Sequence, residues 1–250
     1  MSDQQRWTAL ARENPYWAVL AEPKYRSDRI TPEEIRAFFA TGETEVSETL
    51  SRIRRHIGAE FQPGVVIDYG SGLGRLTIPL ARICDRAIGV DVSEPMLNES
   101  RRIAISQGIA NVEFVNADAF LNGADSRYRA DLVHSYIVLQ HVHPRIGMRI
   151  TETLLRRLNE GGVAALHYTF ARRASAIRRM LHKTRQALPP MHVLANVMQG
   201  KPLFEPAMPM HEYRLTRLLD TFRRHGAREI HVFPTDHGGH VGAMFIFRLY

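Results

Sequence analysis

From about residue 60 onward, short β-branched runs alternate with stretches whose apolar residues recur at helical spacing. Val65, Val66 and Ile67 follow the turn signal Pro63-Gly64 and predict a buried strand. Leu73, Leu76, Thr77 and Leu80 then repeat with a helical period. Four more strands are predicted in "RAIGVDVS" (86–93), "NVEFVNADAF" (111–120), "ADLVHSYIVLQHV" (130–142) and "LNEGGVAALHY" (158–168). A helix marked by Ile150, Leu154, Leu155 and Leu158 precedes the last of these. The tail adds a helix with Leu215, Leu218, Leu219 and Phe222, then two apolar strands joined by "PTDHGGH", short enough for a hairpin. This alternation predicts an α/β fold.

The first sixty residues read as helical, with Val46, Leu50, Ile53 and Ile57 on one apolar face. Thr31-Pro32-Glu33-Glu34 is a helix start, because Thr31 can cap, Pro32 suits the first turn and Glu34 can complete a capping box. The earlier "NPYWAVLAEPKYR" concentrates aromatics between prolines and is not expected to be regular helix throughout. No internal repeat or second independent domain is visible. The expected division is a helical lid over 1–60 and one domain over 61–250, interrupted by a proline- and methionine-rich insertion at 171–210. That insertion is expected to serve substrate binding, with a homodimer contact as the alternative.

Between the first strand and its helix lie Gly70, Gly72 and Gly74, preceded by Asp68. A strand-to-helix turn of this kind is expected to offer backbone N–H groups to an anionic or strongly polar ligand group. The spacing is G-x-G-x-G, and Arg75 occupies the place where a dinucleotide fingerprint needs its third glycine. No Gly-Lys-Ser/Thr ending makes it a phosphate loop. Asp68 would repel a pyrophosphate but would suit the ammonium group of an amino-acid-bearing ligand.

The glycine stretch resembles motif I of the class I S-adenosylmethionine-dependent methyltransferases, and the elements over residues 60–170 follow in that family's order. The N-terminal lead resembles that of bacterial small-molecule methyltransferases. The resemblance implies a Rossmann-like, mostly parallel seven-stranded sheet of order 3-2-1-4-5-7-6, its last strand antiparallel, with helices on both faces. It implies S-adenosyl-L-methionine as cofactor, held by Asp68, Gly70, Gly72 and Gly74. Asp91, a carboxylate about twenty residues beyond the glycines, would take the ribose hydroxyls and could also cap the helix beginning near Ser93. Asp118, with Ala119 beside it, matches the position that receives the adenine amino group, and Tyr136 would touch the methionine part. Tyr16, Trp17, Tyr25, Arg26 and Phe39 become candidates for the wall of a closing lid.

Composition narrows the partners. Thirty-three Lys and Arg against 26 Asp and Glu give a formal charge of +7, which raises nucleic acid or acidic lipid as a partner. The excess is spread over scattered arginine pairs, which points to solvated helix faces. The single cysteine, Cys84, excludes an internal disulfide framework and cysteine zinc clusters. No stretch of about eighteen apolar residues occurs and the N-terminus lacks the apolar core of a secretory signal, so a cytoplasmic protein without a membrane span is expected.

A hydroxyl acceptor must lose a proton, and histidine is the usual instrument near neutral pH. In the resembling architecture strands four and five end nearest the methyl group. This singles out His141 and His143 after strand four, and His167 and Tyr168 at the end of strand five. His141 is the first choice for a base and His167 the second, with His237 and His240 in the hairpin link as alternatives. The chain has His134-Ser135-Tyr136-Ile137 where base-amine methyltransferases carry Asn/Asp-Pro-Pro-Tyr/Phe, Cys84 lies on the wrong element for a cysteine nucleophile, and Asp131 begins strand four instead of ending it. The expectation is metal-independent methyl transfer to an oxygen or nitrogen of a small molecule. Alternatives are a nucleic-acid methyltransferase, a cofactor-binding subunit without catalysis, and a nicotinamide oxidoreductase, which Arg75 disfavours.

Overall fold

The computed structural model describes residues 3–26, 30–123, 128–173 and 210–250. Nearly all of the 171–210 insertion therefore lies outside the described residues. Seven strands form one sheet: β1 (Val65–Tyr69), β2 (Arg86–Asp91), β3 (Val112–Asn116), β4 (Ala130–Ser135), β5 (Leu158–Arg172), β6 (Ala227–His237) and β7 (His240–Leu249). Their order is β3-β2-β1-β4-β5-β7-β6, as expected. β1 to β5 pair in parallel, and β7 runs antiparallel to both its neighbours.

The β-branched runs lie in the centre because both faces of the sheet are covered. One face packs Val66, Leu132, Val163 and Ile246 against Val46, Leu50 and Ile53 of a long N-terminal helix. The other buries Ile67, Val133, Leu166 and Phe245 beneath Ile150 and Leu154 of the helix Pro144–Arg156 and Phe222 of the helix Leu215–Arg224. The long helix runs from Pro32 to His56 and starts as its sequence predicts. The Thr31 side chain accepts from the Glu34 backbone N–H, and the Glu34 carboxylate takes the Thr31 N–H at 2.7 Å.

Two local expectations are corrected. The hairpin link is only Gly238-Gly239, at φ +63° and +87°, and Pro234 to His237 belong to β6. A two-residue turn with both φ values positive suits the twist of the flanking strands, and Pro234 is tolerated because β6 is the sheet edge. The regular helix after the glycines is also short, Thr77–Ala81, preceded by turns from Gly72 to Leu76.

Candidate active site

A cavity of about 410 Å³ opens beyond the carboxyl ends of β1, β2 and β4, within the range of small-molecule sites. Asp68, Gly70, Gly72, Asp91, Asp118 and Tyr136 all line it, and so does His141. Gly74 and Ala119 do not. Gly74, at φ +77°, faces inward, where an added Cβ would press on Ile78 and Phe114; Ala119 points to solvent.

The glycine turn is folded by its own amides. The N–H groups of Gly70 and Ser71 both donate to the Val90 carbonyl, and that of Gly74 donates to the Ser71 carbonyl. The Gly72 N–H donates to Asp91 Oδ2 at 2.9 Å. The turn thus does not present these amides to an anion, contrary to the expectation from strand–glycine–helix order. Gly70 needs its missing side chain for a different reason: a Cβ there would collide with Val138.

Asp91 sits at the end of β2, partly exposed to the cavity. Its other oxygen, Oδ1, accepts at 2.9 Å from the N–H of Ser93, the N-cap residue of the next helix. Desolvation by its surroundings raises its pKa above the ordinary carboxylate value, and the backbone donors Ser93, Gly72 and Val92 oppose that rise. Asp68 is more enclosed. Its Oδ2 accepts from Thr77 Oγ1 at 2.6 Å, and its Oδ1 meets His134 Nδ1 at 2.9 Å on the neighbouring strand. A ligand ammonium would have to share a carboxylate that already has two partners.

Across the cavity, the chain leaves β4 through Tyr136, Ile137 and Val138, all of them lining residues. Ile137 has φ +59°, a strained conformation for a β-branched residue. Burial, with a smaller contribution from Glu45, pushes the Tyr136 phenol up to about 12, so it stays protonated at neutral pH. His141 closes a 3-10 turn, Leu139–His141. Its ring meets Trp7 edge-on, with centroids 5.3 Å apart, and its Nε2 lies 3.3 Å from Gln140 Nε2. The Gln140 Oε1 in turn accepts from Thr169 Oγ1 of β5 at 2.9 Å. That bond turns the amide nitrogen toward the imidazole.

The N-terminal segment does cover the cavity, through other residues than expected. Trp7, Ala18, Val19 and Leu20 line it, whereas Tyr16, Trp17, Tyr25, Arg26 and Phe39 do not. Tyr25, Phe38 and Phe39 are buried with Leu73 and Ile78 in a satellite core. Arg75, which entered the reading only as a missing glycine, lines the cavity too.

Residues 66–162 match the family model described as a methyltransferase domain. The chain is thus similar, over that stretch, to methyltransferase domains. Its fold resembles magnesium protoporphyrin IX methyltransferase of Synechocystis PCC 6803 with bound S-adenosylhomocysteine, at TM-score 0.64 and 15% identity over 99% of this chain and 98% of that one. It also resembles the N-methyltransferase NodS of Bradyrhizobium japonicum, in complex with the same compound, at TM-score 0.56 and 14% identity over 98% of each. Among curated sequences, a 23S rRNA (uracil-C5)-methyltransferase of Alkalilimnicola ehrlichii is 40% identical over 65 residues, which is 26% of this chain and only 15% of that relative. An uncharacterised RNA methyltransferase of Chlorobaculum tepidum is 31% identical over 115 residues, 44% of this chain and 23% of its own length.

The remaining sequence candidates lie off the cavity wall. His167 is wholly buried. Its Nε2 bonds Thr235 Oγ1 at 2.8 Å, and its ring packs against Tyr136 and His237 at 5.3 Å each. Desolvation lowers it to about 3, which keeps it neutral. His143 caps the following helix, accepting from the Arg145 N–H. Tyr168 is a core residue bonded to Thr151. Cys84 lies two residues before β2 at the sheet end away from the cavity, and burial raises its thiol to about 11. Asp131 binds the N–H groups of Gly64 and Val65 at that same end. No helix among the described residues is long and apolar enough to cross a membrane.

Proposed function

We propose that the protein transfers the methyl group of S-adenosylmethionine to an oxygen or nitrogen of a small-molecule acceptor without a metal. The observation that carries this reading is that Asp91, behind the glycine turn, and His141, beyond β4, share one enclosed cavity. Bound there, the cofactor supplies a methyl group already activated on sulfonium, so the chain's task is alignment and proton removal. Asp91 keeps acceptor capacity for a ribose hydroxyl beside its backbone contacts. Asp118 would receive the adenine amino group. Tyr136, being a neutral phenol, can orient but not deprotonate.

His141 is the base in this reading. With its proton on Nδ1, its Nε2 lone pair accepts from Gln140 at 3.3 Å, a long contact that an acceptor hydroxyl could supplement or replace. His167 is left a supporting role, because it reaches the cavity only through Tyr136. The whole-chain structural neighbours named for a porphyrin and for N-methylation support a small acceptor.

Calorimetric titration with S-adenosylhomocysteine, S-adenosylmethionine and NAD tests the cofactor. Binding of the two adenosyl compounds and none of NAD is expected, followed by labelled-methyl transfer to a panel of hydroxyl and amine acceptors. An RNA acceptor is the second reading, favoured by the curated relatives and the charge of +7. It requires RNA affinity that falls steeply with salt; weak, salt-insensitive association would remove it. Carbon methylation through a cysteine nucleophile is disfavoured by the position and raised pKa of Cys84.

A further inference from the structure

Arg75 is a cation buried at a cavity wall with no ion pair at contact distance among the described residues. It is 7% exposed and lines the cavity. Among the described residues no carboxylate lies within ion-pairing distance, and the one hydrogen bond of its guanidinium goes from Nη1 to Thr41 Oγ1 at 3.2 Å. Its Nε–H is buried with no partner. The nearby Asp68 carboxylate is committed elsewhere, to Thr77 and His134. Burial lowers the guanidinium pKa, although Glu45 and Asp68 act in the opposite direction. The long helix passes close over its backbone, where a Cβ on Gly42 would collide with the Arg75 carbonyl.

An isolated buried charge is costly unless it gains a partner. The amides of Gly70, Ser71, Gly72 and Gly74 are all spent internally and do not offer themselves to an anion. A guanidinium edge with a free Nε–H matches the side-on geometry of a carboxylate. We propose that Arg75 is a carboxylate-binding residue of the cavity, completing its ion pair only when a ligand enters. The carboxylate comes either from the amino-acid end of the cofactor or from the acceptor. The proposal rests on the cofactor reading above only for the first of these sources.

S-adenosylmethionine and its decarboxylated analogue differ by the one group at issue. If the cofactor is the source, the wild-type protein prefers the former by roughly 10- to 100-fold, the effect of a charge-assisted hydrogen-bonded pair. Arg75→Gln abolishes that preference and Arg75→Lys retains part of it. If the acceptor is the source, the two compounds bind alike. Propionate, titrated with and without S-adenosylhomocysteine, then shifts the Arg75 Nε–H resonance, assigned by its loss in Arg75→Lys. The wild-type comparison needs no variant to fold, and the propionate arm reads Arg75 even when no adenosyl compound binds, the result that would instead defeat the cofactor reading. No carboxylate preference together with an unmoved Nε–H signal overturns the proposal.

Discussion

Gly72 donates its backbone N–H to Asp91 Oδ2 at 2.9 Å, which makes the glycine turn after β1 and the carboxylate ending β2 one structural unit. The other Asp91 oxygen takes the N–H of Ser93, where the next helix starts. A carboxylate that lines the cavity thus also braces the loop that shapes it. The two roles separate by substitution and by pH.

Asp91→Ala should weaken S-adenosylhomocysteine binding by about 10- to 100-fold and also cost about 1–3 kcal/mol of stability, because two backbone donors lose their acceptor. Asp91→Asn should keep more of the stability than of the affinity. The unliganded carboxylate has a raised pKa, and hydroxyl donors favour its ionised form. Wild-type affinity should therefore fall as pH drops through that raised value and level off above it, while Asp91→Asn stays flat. Calorimetry from pH 4.5 to 7.5 reads the difference; parallel profiles would show that Asp91 does not meet the ligand.

The three turn glycines should respond differently. Gly70→Ala forces a Cβ into Val138 at φ +83° and should lower the melting temperature sharply. Gly74→Ala carries a similar backbone penalty at φ +77°, but it lies behind the wall and should leave affinity per folded molecule nearly unchanged. Gly72→Val should cut affinity at least tenfold, since φ is +52° and its Cβ would stand 2.9 Å from Val19 on the covering segment. Equal losses of affinity in all three would show that the turn acts as a single rigid body.

The sheet was legible because its signals are local. Val65–Ile67 and the later runs carry strand chemistry, and Thr31 with Glu34 carries its cap within four residues. The lining of the cavity was only half legible. Asp91, Asp118 and Tyr136 follow strand ends, so finding the strands found them. Arg75 and Val19 were missed because their placement depends on contacts with distant helices: Thr41 and Gly42 pin the former, and the covering segment brings the latter over Gly72. Aromatic content misdirected the lid prediction, since Tyr25 and Phe39 do core packing. Pro234 looked like a loop residue because its edge-strand setting is a property of the whole sheet.

His167 makes stability pH-dependent whatever its part in catalysis. It is buried neutral, with its pKa lowered to about 3 in the folded chain against about 6.5 unfolded. The unfolded chain therefore binds the extra proton between these values. Stability present above about pH 6.5 should be lost as pH falls toward 3, with a slope of up to about 1.4 kcal/mol per unit. His237, also lowered by burial, acts with the same sign, whereas the raised pKa of Asp91 acts with the opposite one. Denaturant titrations of His167→Gln should show a flatter acid limb than the wild type, and an unchanged slope would assign the acid sensitivity elsewhere.

His141 is the residue whose removal should touch turnover alone. His141→Ala should leave S-adenosylhomocysteine affinity within about threefold, since Asp91 and the glycine turn are untouched, and lower kcat by about 10²–10⁴-fold if it is the general base. A merely structural role through Trp7 would instead lower the melting temperature and raise KM. Thr169→Val separates the two further. It removes the hydroxyl that holds Gln140 Oε1, so the amide can turn its oxygen toward Nε2 and favour the protonated imidazole. The acid limb of the kcat profile should then move to higher pH while cofactor affinity holds. An unmoved limb in Thr169→Val, together with full turnover in His141→Ala, would exclude proton transfer through this turn.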